Sequence, residues 1–203
     1  MNDLTLNEEQ RDALQEIANI GMGKAGAALA ELLETFVKLS VPDIKLASAA
    51  QLRAEVLSPQ FMGNGPLPVR QSFQSDISGE AIVLFGKDGL EELEELMGYA
   101  DGTGTAANEV LSDIANLLVG ACVRSVFEQL GRRISFARPS FVPPEALANA
   151  LCNERFGRWD IALLLEVRFA LERGGFTAQL VLLMPEAAIR KMKSALEQFL
   201  QAL

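Results

Sequence analysis

Histidine is absent from this 203-residue chain, and that absence excludes several classes of catalyst. There can be no Ser-His-Asp or Cys-His machinery, no imidazole general base and no His-ligated zinc or di-iron centre. Cysteine is nearly absent: Cys122 and Cys152 sit in apolar surroundings without partner spacing and read as buried free thiols of a reducing compartment. Aromatic residues are few, with one Trp and one Tyr, so the core must be built mainly from Leu, Ala, Val, Ile and Phe. Positive charge is also short, 18 Lys and Arg against 27 Asp and Glu, for a net charge of −9. A nucleic-acid binder works by neutralising phosphates with Lys and Arg, so that class is excluded. No apolar run reaches the ~18 residues of a membrane span, and the first residues lack a basic region followed by an apolar one. The expectation is a cytoplasmic chain without membrane insertion. Any chemistry must come from carboxylates, amides, hydroxyls or a cofactor carried by a partner.

What the chain does contain is a polar pattern written twice. Asp12-x3-Glu16-x2-Asn19 is followed by Pro42, and Glu109-x3-Asp113-x2-Asn116 is followed by Pro139. The two asparagines lie 97 positions apart, and so do the two prolines. Chance must place such a face twice, which gives the pair more weight than either copy alone.

The element order repeats with the pattern. Asn7, with Gln10 three residues on, or Thr5 predicts the start of a helix running to about residue 35. Its apolar and small positions recur as Leu14, Ile17, Gly21, Ala25, Ala28 and Leu32. Strands are expected over 36–48, 67–76 and 79–86, then a helix over 88–98 closed by Gly98, and a connector over 100–105. A second long helix over 106–130 ends at Gly131. It precedes strands over 132–141, 158–171 and 175–184 and a final helix over 186–201. Residues 143–157 are an extra excursion, with a short helix as one option. Neither half carries enough to bury its apolar strands alone. The expected fold is therefore α+β: one pseudo-two-fold symmetric domain spanning 1–203. A central, mostly antiparallel sheet of about six strands carries two long motif helices and further helices, built from repeats over about 5–100 and 105–203.

Helical geometry turns the pattern into a face. At about 100° per residue, with Asp12 at zero, Glu16 falls at about 40° and Asn19 at about 340°, opposite Leu14, Ile17 and Gly21. Glu109, Asp113 and Asn116 cluster in the same way opposite Leu111, Ile114 and Leu118. Both triads should face outward. A plain solvent face would also carry carboxylates, but mid-helix Asn is a mediocre helix former and here it occurs twice at one register. Gly21 and Gly23 cost helix stability too, which points to close approach of a second helix or of a partner's backbone. A metal site is not expected: the di-iron signature needs Glu-x-x-His where this chain has Asn, and the outward Glu/Asn pair is too sparse for Mg²⁺ or Ca²⁺.

The first motif and the stretch Leu14-Gln-Glu-Ile-Ala-Asn-Ile-Gly-Met-Gly23 resemble the signature of the CheC/CheX/FliY phosphatases of bacterial chemotaxis. Two motifs rather than one resemble CheC more than CheX, and no added segment for flagellar-switch docking resembles FliY. The resemblance implies a phosphatase that hydrolyses the aspartyl phosphate of a phosphorylated CheY-like response regulator. It implies Glu16 and Asp113 as the groups that pair with the regulator's lysine, and Asn19 and Asn116 as the groups that orient water. Asp12, Glu109 and Gly23 would contact the partner, while Pro42 and Pro139 would be structural. No intrinsic cofactor is implied, because Mg²⁺ comes with the regulator's active site. The departure is Asp113, one methylene shorter than the family's Glu, so the Asn19 site is expected to be the more active. The alternatives are a non-catalytic adaptor that binds a response regulator or the CheD deamidase, and a flagellar-switch domain like the middle domain of FliM.

Overall fold

The computed structural model describes residues 4–48, 50–51, 54, 68–86, 88–98, 104–143, 145–147, 149, 161–172 and 175–202. The first helix, α1 (Glu8–Leu33), starts where its cap dictates. Asn7 accepts from the Gln10 backbone N–H at 2.8 Å, and Gln10 Oε1 accepts from the Asn7 N–H at 3.1 Å, so the capping box holds and Thr5 is not the cap. The helix stops at Glu34, in the left-handed region at φ 48°, with its N–H donated to the Ala30 carbonyl. Its buried stripe differs from the expected one at the C-terminal end. Leu29 and Leu33 are buried, whereas Ala28 is half-buried and Leu32 is 39% exposed. From Ile17 the stripe follows the i+4 row through Gly21, Ala25, Leu29 and Leu33, facing a second long helix.

That second helix, α3 (Gly104–Gln129), comes close to α1 at Gly21. A Cβ on Gly21 would lie 2.8 Å from the Cys122 carbonyl oxygen and 3.2 Å from a Val126 methyl. The expected close approach is real at Gly21. At Gly23 a Cβ would meet nothing within 4 Å, so that glycine faces open space.

Two expected strands are broken, each at a motif proline. In place of one strand over 36–48 there are β1 (Val37–Leu39) and β2 (Asp43–Ser48). In place of one over 132–141 there are β5 (Ser135–Phe136) and β6 (Ser140–Phe141). Pro42 and Pro139 lie in the two gaps. Proline has no N–H for a ladder, so it sits where an edge strand is interrupted. Between the broken edges come the hairpin β3 (Val69–Gln74) and β4 (Ser78–Phe85), α2 (Leu90–Leu96) and α3 (Gly104–Gln129). The hairpin β7 (Ile161–Leu171) and β8 (Thr177–Pro185) and then α4 (Glu186–Gln201) complete the chain. Gly98 at φ 74° and Gly131 at φ 68° close α2 and α3 as expected. α3 begins two residues before the expected 106, inside the stretch read as a connector; 100–103 lie outside the described residues. Residues 145–147 and 149 are helical, in keeping with the short-helix option, and 150–157 lie outside the description.

All pairings are antiparallel, and the strands occupy six positions in the order β1/β2–β7–β8–β4–β3–β5/β6. The α+β fold with a central antiparallel sheet of about six strands is borne out. Each broken edge is carried by the hairpin of the other half of the chain: β1 and β2 on β7, β5 and β6 on β3. One sheet face packs under the helices through residues such as Val69, Phe73, Val167 and Phe169. The other holds a smaller cluster of Ile82, Leu164, Val181 and Leu183, covered by Leu147 from the excursion. α3 contains a stretch, Ala107–Gln129, that is long and on average apolar enough to pass for a membrane span, although Glu109, Asp113, Arg124 and Glu128 interrupt it, as the absence of an unbroken apolar run requires. In this fold 61% of that apolar window is buried, because α3 faces both α1 and the sheet.

The two glycines separate fold from face. Gly21→Ala should destabilise the protein by about 1–3 kcal/mol through overpacking at the helix crossing. Gly23→Ala should be neutral or stabilising by up to about 1 kcal/mol, because it adds helix propensity in open space. Urea unfolding of both variants checks this; equal midpoints would contradict it.

Candidate functional site

Asp12, Glu16 and Asn19 on α1 are all exposed, and so are Glu109, Asp113 and Asn116 on α3. Both triads face outward, as the helical geometry requires once Leu14, Ile17, Leu111 and Ile114 are taken into the core. Four residues after each asparagine, and therefore on the same helix face, stands a glycine with empty space over it: Gly23 after Asn19 and Gly120 after Asn116. Gly120 was not among the sequence candidates. The shift of 97 positions, applied to Gly23, would have found it.

Beside each motif helix runs the broken edge strand, and here the two sites begin to differ. Ser40 N–H donates to the Arg168 carbonyl at 3.0 Å, and Ala137 N–H donates to the Ser72 carbonyl at 2.9 Å. Ser40 and Ala137 are 97 positions apart, so Arg168 on β7 and Ser72 on β3 occupy equivalent places. The register agrees, since Leu39 faces Phe169 as Phe136 faces Phe73. At the first site α1 and β1 close on each other: a Cβ on Gly26 would lie 2.9 Å from both Leu39 methyl carbons. At the second site the equivalent helix residue is Val123, which is fully buried. There the helix and the edge strand leave an open groove of about 530 Å³. Gln71, Asp113, Asn116, Arg124, Arg138 and Pro139 are among its lining residues. Arg124 lies 5.8 Å from the Phe136 ring centroid, a cation–π distance. Where the second site has Arg124 and Arg138, the first has Ala27 and Val41, the latter 70% exposed. Pro42 is buried and Pro139 half-buried; both terminate strand pairing rather than offering a reactive group.

The feature least visible in the sequence is Gln71. It is 2% exposed, and its Nε2 donates to Asn116 Oδ1 at 2.9 Å and to the Ala137 carbonyl at 2.9 Å. Asn19 makes no side-chain hydrogen bond among the described residues. Also among the described residues, no group of three or more His, Cys, Asp or Glu side chains converges on a point where a metal ion would sit.

The comparisons with known proteins agree with this geometry in part. The CheC-like family model matches residues 9–46, which hold the first motif and Pro42. The chain is 29% identical over 126 residues to the CheY-P phosphatase CheC of Bacillus subtilis, a match that spans 57% of each protein. The chain thus spans little more than half the length of that curated relative. Among solved structures, FliY of Thermotoga maritima superposes with a TM-score of 0.67 at 16% identity, covering 96% of this chain and 99% of that one. A chain of the CheX-CheY-BeF3-Mg²⁺ complex of Borrelia burgdorferi gives 0.53 at 12% identity, covering 82% and 96%. The CheC-type resemblance is supported in sequence by the first motif segment, and the fold is shared over nearly the whole chain.

Cys122 is not a candidate nucleophile. Complete burial without a polar partner pushes its thiol from 9.0 up to about 12, so it stays protonated and unreactive. The unfolded chain ionises this thiol from about 9.0 upward and the folded protein does not until about 12, so this contribution to stability is intact below pH 9 and is lost as pH rises through that window. Iodoacetamide at pH 8 should leave Cys122 unmodified in the native protein and modify it in denaturant, as read by peptide mass mapping. Native-state labelling would contradict the packing described.

Proposed function

We propose that this chain is a protein-aspartyl-phosphate phosphatase acting on a CheY-like response regulator in the cytoplasm. The observation that carries the proposal is the duplicated outward face, a carboxylate with an asparagine three residues on, presented on two helices that the core holds rigidly. The activity of the Bacillus subtilis relative, a CheY-P phosphatase, and the CheY partner in the Borrelia burgdorferi complex support the same reading. The proposal takes residues 5–100 and 105–203 as two copies of one unit, in line with the matching strand order of the two halves.

The chemistry fits a chain without histidine. Hydrolysis of an acyl phosphate forms a bond from water oxygen to phosphorus and breaks the bond from phosphorus to the aspartyl oxygen. The aspartate leaves as a carboxylate, and the water's protons pass to phosphate and solvent. Such a leaving group needs no strong general base; placement of the water supplies most of the acceleration. In this reading Asn19 and Asn116 orient that water. An amide does so at any pH, because it does not titrate. Glu16 and Asp113 pair with a lysine of the regulator and so fix the docking register. Asp12, Glu109 and the open space over Gly23 receive the partner's surface. Mg²⁺ belongs to the regulator and is not held by this chain. Glu16 reaches one methylene further than Asp113, so we assign the faster turnover to the Asn19 site.

The test is Mg²⁺-dependent dephosphorylation of a CheY-like regulator by the unaltered chain, Asn19→Ala, Asn116→Ala and the double variant. The chain should accelerate hydrolysis, Asn19→Ala should lose more of the rate than Asn116→Ala, and the double variant should return it to the regulator's own rate. Full activity in the double variant would sink the proposal. Binding without acceleration would replace it with an adaptor role.

A further inference from the structure

We infer that Gln71 is a positioning residue for the second site: it fixes the orientation of the Asn116 amide and thereby sets the rate at which that site works. The kinetic part rests on the phosphatase reading; the positioning part does not.

The orientation follows from a chain of donors and acceptors. The Ala137 carbonyl can only accept, so the Gln71 atom 2.9 Å from it must be the donor Nε2. That same nitrogen lies 2.9 Å from the Asn116 side chain, which must therefore turn its Oδ1 towards Gln71. The Asn116 Nδ2, with its two N–H groups, is left for the groove. Its oxygen keeps one lone pair free beside Gln71. One buried amide thus removes the two-fold ambiguity of another.

Fold stability alone does not account for a glutamine here. Its Oε1 is buried without a partner. A buried amide oxygen left unpaired is costly, and such groups call for an explanation. The equivalent position on β7 is Val167, fully buried, and the sheet there is equally complete. Valine fits the strand and forfeits nothing. The glutamine differs in one respect: it reaches a motif asparagine. At the first site Val167 has no hydrogen-bonding group to offer, and Asn19 is left to rotate. Asp113 is the shorter carboxylate, so the second site has the weaker docking register and the better-held amide. A misplaced group costs on the order of tenfold or more in rate.

Two variants and two readouts test this. Gln71→Val installs the residue of the equivalent strand, and Gln71→Met keeps the length while removing the donor. Side-chain amide relaxation by NMR, which needs no catalysis, should show Asn116 more ordered than Asn19 in the unaltered protein. In both variants Asn116 should become as mobile as Asn19. An Asn116 amide equally ordered with and without Gln71 would overturn the positioning role. In the Asn19→Ala background, where only the second site works, both variants should lower kcat about tenfold and leave KM for the phosphorylated regulator unchanged. In the Asn116→Ala background the remaining rate should not move. An unchanged or faster second-site rate, or an equal loss at both sites, would overturn the kinetic consequence. Absence of hydrolysis by the unaltered chain would count against the phosphatase reading and leave the NMR result to decide on Gln71.

Discussion

Each half of this chain lacks an edge that the other half supplies. The broken strand β1/β2 belongs with α1 in sequence but pairs with β7, and β5/β6 belongs with α3 but pairs with β3. The central ladder between β4 and β8 then joins the two hairpins. Removing either exchange would leave a hairpin with an open edge and a motif helix without the edge strand beside it. A two-stranded ribbon is marginal at best in water. The exchange therefore makes one cooperative unit out of segments that would not persist alone, and it accounts for a core that runs continuously from Leu14 through Ile114 to Leu180.

The same exchange makes each motif face a composite. The helix and the broken strand of one site come from one half, while the hairpin strand that carries them comes from the other. Gln71 illustrates the result: it lies on β3, in the first half, and bonds to Asn116 and Ala137, in the second. The prolines fit this arrangement. Their missing N–H interrupts the edge strand beside the motif helix, where an unbroken edge would invite further strand pairing. The crossing at Gly21 over the Cys122 carbonyl brings the two motif helices together in one rigid layer, so both faces are presented by the core rather than by loops.

Much of this was legible from residues. The capping box Asn7/Gln10, the terminators Gly98 and Gly131 and the outward triads all follow from local rules, and the structure agrees with each. The misses share one cause, since they depend on a partner element that a single stretch of sequence does not reveal. The stripe on α1 runs to Leu29 and Leu33 because its neighbours there are α3 and the sheet, which lie elsewhere in the sequence. Residues 36–48 alternate like one strand, yet Pro42 splits them once a ladder partner is present. α3 is apolar on most of its circumference because two layers cover it. Gln71 sits among apolar strand residues with no motif around it, and only the pairing of β3 with β5 brings it beneath Asn116.

Duplication keeps a scaffold, and the substitutions at equivalent places then decide what each copy does with it. Gly26 lets the helix close on Leu39 of the edge strand, whereas at the second site, with Val123 in the equivalent place, the helix and edge strand leave a groove. Ala27 against Arg124 and Val41 against Arg138 give one rim an apolar character and the other a cationic one, in a chain whose net charge is −9. Val167 against Gln71 decides whether the motif amide is free or held. All four pairs lie outside the Asp/Glu-x3-Glu/Asp-x2-Asn pattern altogether, two turns further along the helix, on the connector between the edge strands, or on the neighbouring hairpin strand. Two sites that match in their motif residues are therefore not copies in their chemistry. The motif fixes which groups point outward, and the residues packed around it determine how firmly they are held and what surface can approach them.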